Sequence, residues 1–435
     1  MTQAPAPAAR ARSSPLHPLT RLLEATELDT RMLGLIGALL LIWIAFHVLS
    51  GGLFLTPRNL WNLSVQSSSV AIMATGMVLV IVTRNIDLSI GSMLGFIGMV
   101  MGVVQTLLLP QLLGFEHPVT WVLALAAGLL LGIMLGAFQG FVIAYLGIPS
   151  FIVTLGGLLV WRGAVWWVTH GQTVAPLDRT FRLMGGGTEG SIGAAWSWVV
   201  GVIGCVAVVM MLALGRARRT KFHFPLRPIA AEIFLASVAC ALILAAVAIF
   251  NDYPWPAGSV RRYAQANHIA LPAGGLFIAH GIAVPVLIAV GVGVAVTFMA
   301  TRTRFGRYAY AIGGNPEAAE LAGVNTRWVI MKIFMLMGLL TAVSAAISIA
   351  RLDAATNSEG TLAELLVIAA AVIGGTSLSG GVGSVAGAML GAVLMQSLQS
   401  GMVLLGVDTP LQNIVVGAIL VFAVGLDTVY RRRTK

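Results

Sequence analysis

Residues 230–250 read "AAEIFLASVACALILAAVAIF", about 20 apolar residues in a row with one charge, Glu232. Runs like this recur along the chain, and they constrain the fold more than any motif. A helix needs about 20 apolar residues to cross the hydrocarbon of a bilayer, because in lipid every backbone polar group must be satisfied within the segment. On that rule, twelve spans are expected near 32–54, 66–83, 88–109, 119–145, 149–168, 194–215, 230–250, 276–299, 328–350, 363–379, 382–404 and 411–429. The pair 363–379 and 382–404 is also open to a broken helix or a re-entrant turn at "GGTSLSGGVG". A transmembrane barrel would require alternating strands of about ten residues instead. The expected class is an all-α polytopic membrane protein with ten to twelve spans.

Composition agrees with this. The 435-residue chain is 58% hydrophobic and only 10% charged, whereas soluble domains carry about 25% charged residues. The net charge of +10 is read as cytoplasmic loop charge and not as nucleic-acid binding. With both termini inside, segments 1–31, 216–229, 301–327 and 430–435 hold 17 Lys/Arg, against 6 in the outer segments. That excess orients the chain. The domain reading is a Pro/Ala-rich tail over 1–31, partly disordered, a membrane domain over 32–430, and a basic tail over 431–435. Cys205 and Cys240 lie inside apolar runs and suggest neither a metal nor a disulfide.

Glycines are spaced for close helix packing. Gly132, Gly136 and Gly140 lie four apart, as do Gly383, Gly387 and Gly391. Each set makes a smooth face where another backbone can approach.

Chemistry is sparse. There is no phosphate-cradling "GxxxxGK[ST]" and no "HExxH", so ATP hydrolysis by this chain and zinc proteolysis are both disfavoured. No catalytic constellation and no metal site are expected. The acids near membrane depth, Asp87, Glu232, Asp353 and Glu364, fall near predicted span ends, which disfavours ion-coupled transport. "NIDLSIGS" (85–92) and "GGTSLSGG" (374–381) interrupt the apolar pattern. Asn85, Asp87, Ser89, Glu364, Thr376, Ser377 and Ser379 are candidates for a polar translocation path. The competing reading is that they cap helix ends.

"GGNPEAAELAGVN" (313–325) predicts a short water-facing helix. Asn315 is a suitable N-cap and Pro316 suits the first helical position. Glu317 and Glu320 favour the positive helix start, and Gly323 suits the stop. Ala318, Ala319, Leu321 and Ala322 form one face. Three alanines anchor poorly in lipid, and a small flat face suits docking into another protein. The alternative is a helix lying against its own protein or the lipid surface.

Four blocks resemble one family. "TRTRFGRYAYAIGGNPEAAELAGVN" (301–325), "RNIDLSIGSMLG" (84–95), "PSFIVTLGGLLVWRG" (149–163) and "ELLVIAAAVIGGTSLSGGVGSVAGA" (364–388) resemble the permease subunits of bacterial ABC importers for ribose and other monosaccharides. The segment 205–285 resembles an insertion relative to the ribose type, and "NDYPWP" (251–256) within it is similar to the D-xylose branch. The resemblance implies a permease of the bacterial inner membrane that passes D-xylose. The rival sugars are ribose, arabinose, galactose and inositol, and the rival mechanism is an ion-coupled sugar symporter. It further implies a homodimer, a periplasmic sugar-binding protein and a cytoplasmic ATPase chain. That chain would use the ATP and Mg, so no cofactor is expected here. The loop 301–327 would be where the ATPase couples. Two positions depart from the family pattern, with Asn85 and Leu366 standing where acids are common.

Overall fold

The computed structural model describes residues 30–114, 117–272 and 275–434. Of the expected N-terminal tail, 1–29 lies outside these residues. The expected basic tail continues the last helix as far as Thr434, and Lys435 is not described.

In chain order the helices are α1 (Thr30–Leu49), α2 (Pro57–Val82), α3 (Ile90–Leu113, with a π turn at Val104–Leu108), α4 (Thr120–Ala144), α5 (Ser150–Thr169), α6 (Arg179–Arg182), α7 (Gly193–Lys221) and α8 (Ile229–Asn251). There follow α9 (Ala257–Ala266), α10 (Val284–Arg302), α11 (Arg304–Gly314), α12 (Pro316–Leu321), α13 (Thr326–Leu352), α14 (Ala363–Ile373), α15 (Val385–Leu404) and α16 (Thr409–Thr434). Among the described residues, ten helices are long and apolar enough to cross a membrane. Two apolar stretches are shorter, Ala363–Ile373 and Thr409–Phe422.

The core lies around α2 and α13, whose apolar windows are 89% and 78% buried. The most extensive helix pair is α4 on α13, and the expected glycine face makes it. A Cβ on Gly132, Gly136 or Gly140 would meet α13 backbone at 2.4, 2.1 and 2.8 Å. The second set behaves likewise. Gly387 packs on Gly374 and Gly391 on Ala370, while Gly383, just ahead of α15, faces Val78 and Val82. The helices α7 and α8 form an outlying hairpin whose apolar windows are only 6% buried. Trp61 of α2 ties that hairpin to the bundle. Its indole N–H donates to Gly281 O at 2.9 Å, and its ring packs against Tyr253 and His280.

Three span boundaries differ from expectation. α2 begins nine residues before the expected 66, because Thr56 caps it and Pro57 occupies its first turn. "TPRNLWN" is therefore helix and not loop. The span expected at 276–299 begins at Val284, because 276–283 is extended and bridges Pro254 through Ala279 and Ser191 through Ala283. The span expected at 363–379 is the 11-residue α14, about 16 Å long, roughly half a bilayer. The apolar pattern is thus interrupted at 374–384, between α14 and α15.

The chain reaches α14 by a run of turns, 353–362, that passes into the bundle beside α3. Along α3, Gly102 lies against Ala355, Gly95 against Glu359 O and Gly91 against Gly360 O. That glycine stripe leaves room for a backbone where a helix would not fit. One end of the bundle carries 83–89, 303–325 and 374–384, and the other carries 170–192, 252–283 and the start of 353–362.

Candidate functional site

At the latter end a cavity of about 440 Å³ opens between α2, α13, α15 and the turn segment 353–362. Small-ligand sites span roughly 300–1,000 Å³. Its walls are set by helical periodicity. On α2, Asn59, Asn62, Gln66 and Ser69 stand three or four residues apart and share one face, with Met73 below them. On α15, Gln396, Gln399, Ser400 and Val403 do the same. The two walls touch through polar rungs. Gln396 Nε2 donates to Gln66 Oε1 at 3.0 Å, and Ser400 Oγ donates to Asn59 Oδ1 at 3.2 Å. The floor is apolar, from Val70, Met73, Leu94, Ile347 and Leu366. The turn segment contributes Glu359, whose carboxylate accepts from Ser348 Oγ. Arg351 lines the cavity as well. A larger crevice, about 1320 Å³, lies between 179–191 and α9, but apart from Ala350 its lining comes from loops and short helices at that end, so it does not enter the bundle.

The seven path candidates named from sequence are placed elsewhere. None lines this cavity. Asp87 and Ser89 are buried where the chain breaks between α2 and α3. Asp87 Oδ1 accepts from Ser89 N at 2.9 Å and Ser89 Oγ at 2.6 Å, an Asx-type turn and not a side-chain cap on α3, and Ser89 Oγ also pairs with Gln139. Asn85 Nδ2 donates to Thr83 O at 3.0 Å. Glu364, 5% exposed, sits in the first turn of α14 with Oε2 against Gly91. Asp87 and Glu364 therefore lie buried within the bundle. Each keeps one carboxylate oxygen without a protein partner. Thr376 and Ser377 are buried, while Ser379 is exposed with its hydroxyl 2.7 Å from that of Ser377.

The residues that do line the cavity were legible only as a periodicity. Asn59, Asn62, Gln66 and Ser69 form a polar stripe on an otherwise apolar helix, but the first two lie before the span expected at 66–83.

At the opposite end, α12 has the expected local chemistry. Asn315 caps it by accepting from Ala318 N at 3.0 Å, Pro316 opens it, and Gly323 has φ of +81°. Its faces differ from the expected single docking surface. Ala319 is buried against the bundle, whereas Leu321 is 91% exposed, and Ala318, Ala322, Glu317 and Glu320 are exposed too. The preceding turn is fastened to the bundle. Arg84 donates from Nε to Gly313 O at 2.8 Å and from Nη2 to Gly314 O at 2.7 Å. Tyr310 OH donates to Gly383 O at 2.9 Å, and Gly381 N to Val82 O at 2.9 Å. Among the described residues no cluster of three or more His, Cys, Asp or Glu could hold a metal ion.

Comparison with known proteins agrees with this architecture. A family model described as "Branched-chain amino acid transport system / permease component" matches residues 59–222 and 189–424. The xylose transport system permease protein of Escherichia coli K12 is 37% identical over 94% of each chain. Its namesake in Haemophilus influenzae is 35% identical over 91% of this chain and 96% of that one. The ribose import permease protein of Escherichia coli K12 is 31% identical over 89% and 91%. No solved structure matches.

Proposed function

The chain belongs to the family of transport-system permease components, and from that premise we propose that it is the membrane subunit of an ATP-driven importer that passes D-xylose. The single observation that carries this reading is the cavity. Its walls are amides and hydroxyls with an apolar floor, chemistry suited to a neutral polyol that offers only hydroxyls and C–H faces. The substrate assignment draws on the xylose permease relatives at 35–37% identity, ahead of the ribose permease.

The sugar enters from a periplasmic binding protein at the end that carries 170–192 and 252–283. A cytoplasmic ATPase chain docks at α12, and a second copy of the permease completes the transporter in the bacterial inner membrane. Both termini are cytoplasmic, which the 17-to-6 basic asymmetry supports. ATP and Mg belong to the partner, since this chain has no phosphate-binding loop. The docking face on α12 is Ala318, Leu321 and Ala322, with Ala319 holding the helix to the bundle.

Transmission follows the fastenings. A movement of α12 imposed by the ATPase pulls on Gly313 and Gly314, and through Arg84 on the chain just beyond α2. Through Tyr310 it also pulls on Gly383, just ahead of α15. These two helices are the cavity walls. Parting them breaks the rungs Gln66–Gln396 and Asn59–Ser400. Each neutral hydrogen bond contributes about 0.5–1.5 kcal/mol net, small enough to be exchanged for hydroxyls of the sugar.

The test is uptake of labelled D-xylose by cells that carry the complete system. Uptake should survive a protonophore and stop when the phosphate-loop lysine of the ATPase is replaced. The reverse pattern would make the chain an ion-coupled symporter, with Asp87 and Glu364 as its ionisable groups.

A further inference from the structure

We propose that Glu359 is the residue that selects the sugar, by accepting hydrogen bonds from its ring hydroxyls. This inference rests on the cavity being the translocation path. Glu359 is the only carboxylate on the cavity wall, and it forms no ion pair with Arg351, the only cation there. Its Oε1 is occupied by Ser348 Oγ. Among the described residues no hydrogen bond reaches Oε2, and the side chain is half-buried on the cavity wall. A carboxylate accepts only, with about four lone-pair sites. With one site taken by Ser348, the rest meet a ligand that can donate. A polyol does so with two neighbouring hydroxyls, and hydrogen bonds to a charged acceptor are stronger than neutral ones.

The carboxylate is held where it is by the backbone beneath it. Arg162 Nη1 donates to Glu359 O at 2.9 Å and to Asn357 O at 3.2 Å. The Glu359 carbonyl lies so close to Gly95 that a Cβ there would come within 2.7 Å. The turn segment is therefore clamped between α5 and α3, and Glu359 shares the cavity wall with the amides of α2 and α15. That arrangement supplies an acceptor on one side and both donors and acceptors on the other. It also disfavours anionic sugars, because a carboxylate on the ligand would meet Glu359 with no proton to share.

The experiment uses the full importer in proteoliposomes, with binding protein loaded to saturation by D-xylose or by 2-deoxy-, 3-deoxy- or 4-deoxy-D-xylose. In the parent, at least one deoxy sugar should move about tenfold more slowly than D-xylose, because a site built around a hydroxyl rejects the analogue lacking it. In Glu359→Gln, D-xylose should slow to the rate of that deoxy sugar, so the discrimination collapses to within about twofold. Thermal stability and ATPase copurification should match the parent. A uniform slowing of all four sugars with discrimination retained would mean a structural role and overturn the proposal. So would a parent that does not discriminate, or a Glu359→Gln variant that keeps both rate and discrimination. The double variant Gln66→Leu/Gln396→Leu separates the two readings. If it lowers uptake while Glu359→Gln changes nothing, the cavity stands and the role of Glu359 falls. If it too leaves uptake unchanged, the cavity reading falls with it.

Discussion

Gly136→Ala adds one methyl group where α4 meets α13, and the surroundings dictate the cost. The new Cβ would lie 2.1 Å from Phe334 O, 2.8 Å from Phe334 C and 3.0 Å from Met335 Cα. All three are backbone atoms, so no side-chain rotation relieves the clash, and α13 must shift until the gap reaches the ordinary 3.4 Å. Overpacking of this kind costs about 1–3 kcal/mol. The neighbours give a graded series. Gly132→Ala meets Gly338 O at 2.4 Å and Gly140→Ala meets Met331 Cα at 2.8 Å, so both should cost less than Gly136→Ala, in that order. The control is Gly156→Ala on α5, with nothing within 4 Å. There the loss of glycine's extra freedom in the unfolded chain should stabilise by about 0.5–1 kcal/mol. The assay is reversible unfolding in mixed detergent micelles, followed by circular dichroism. The same shift of α13 displaces Ser348 and Arg351 at the cavity, so Gly136→Ala should also slow uptake. If Gly136→Ala and Gly156→Ala change stability with the same sign, the backbone contact between α4 and α13 does not exist.

Leu321→Asp should leave the permease folded, because the side chain is 91% exposed, yet abolish copurification with the ATPase. Ala319→Asp should instead destabilise the permease, since it buries an unpaired charge, and undiminished copurification of Leu321→Asp would remove α12 as the docking element. Cysteines at Gln265 and Glu317 should differ under an impermeant maleimide added outside cells, with labelling at 265 only; labelling at 317 would invert the topology. His280, in the extended stretch before α10, is stacked on Tyr253 at 4.2 Å, and burial pushes its imidazole below the ordinary 6.5, partly opposed by its hydrogen bond with Tyr253 O. The native state then holds fewer protons than the unfolded chain, so this contribution is full above pH 6.5 and lost as pH falls through the lowered pKa. Unfolding midpoints between pH 7.5 and 5.5 should drop more for the parent than for His280→Phe, and equal slopes would contradict it.

Where structure follows from neighbours in the chain, the residues announce it. α12 is such a case, since Asn315, Pro316 and Gly323 supply a cap, a first turn and a stop within nine positions. Which side of α12 faces the bundle is set by distant residues, so Ala319 could not be told apart from Ala318 and Ala322. The cavity is harder to read for a different reason. Its polar stripe on α2 begins at Asn59, where low hydropathy imitates a loop although Thr56 and Pro57 mark a helix start. Neutral amides leave no charge signature, whereas Asp87 and Glu364 stand out by charge at the helix breaks and lie off the cavity. The re-entrant segment 353–362 was hidden altogether. Its place depends on Gly91, Gly95 and Gly102 of α3, more than 250 residues away in sequence, and no local pattern encodes that pairing.

The central claim, that the sugar crosses between α2 and α15, is tested most directly by blocking the cavity. Ser69 lines it, and its hydroxyl lies 2.5 Å from that of Ser344. In proteoliposomes holding the full importer, Ser69→Cys should transport D-xylose until a bulky methanethiosulfonate is attached, and uptake should then stop. Reduction of the mixed disulfide should restore it. The same reagent on Gly156→Cys, at an exposed position of α5, should have no effect. Uptake that persists at full rate with Ser69→Cys fully modified would contradict the account.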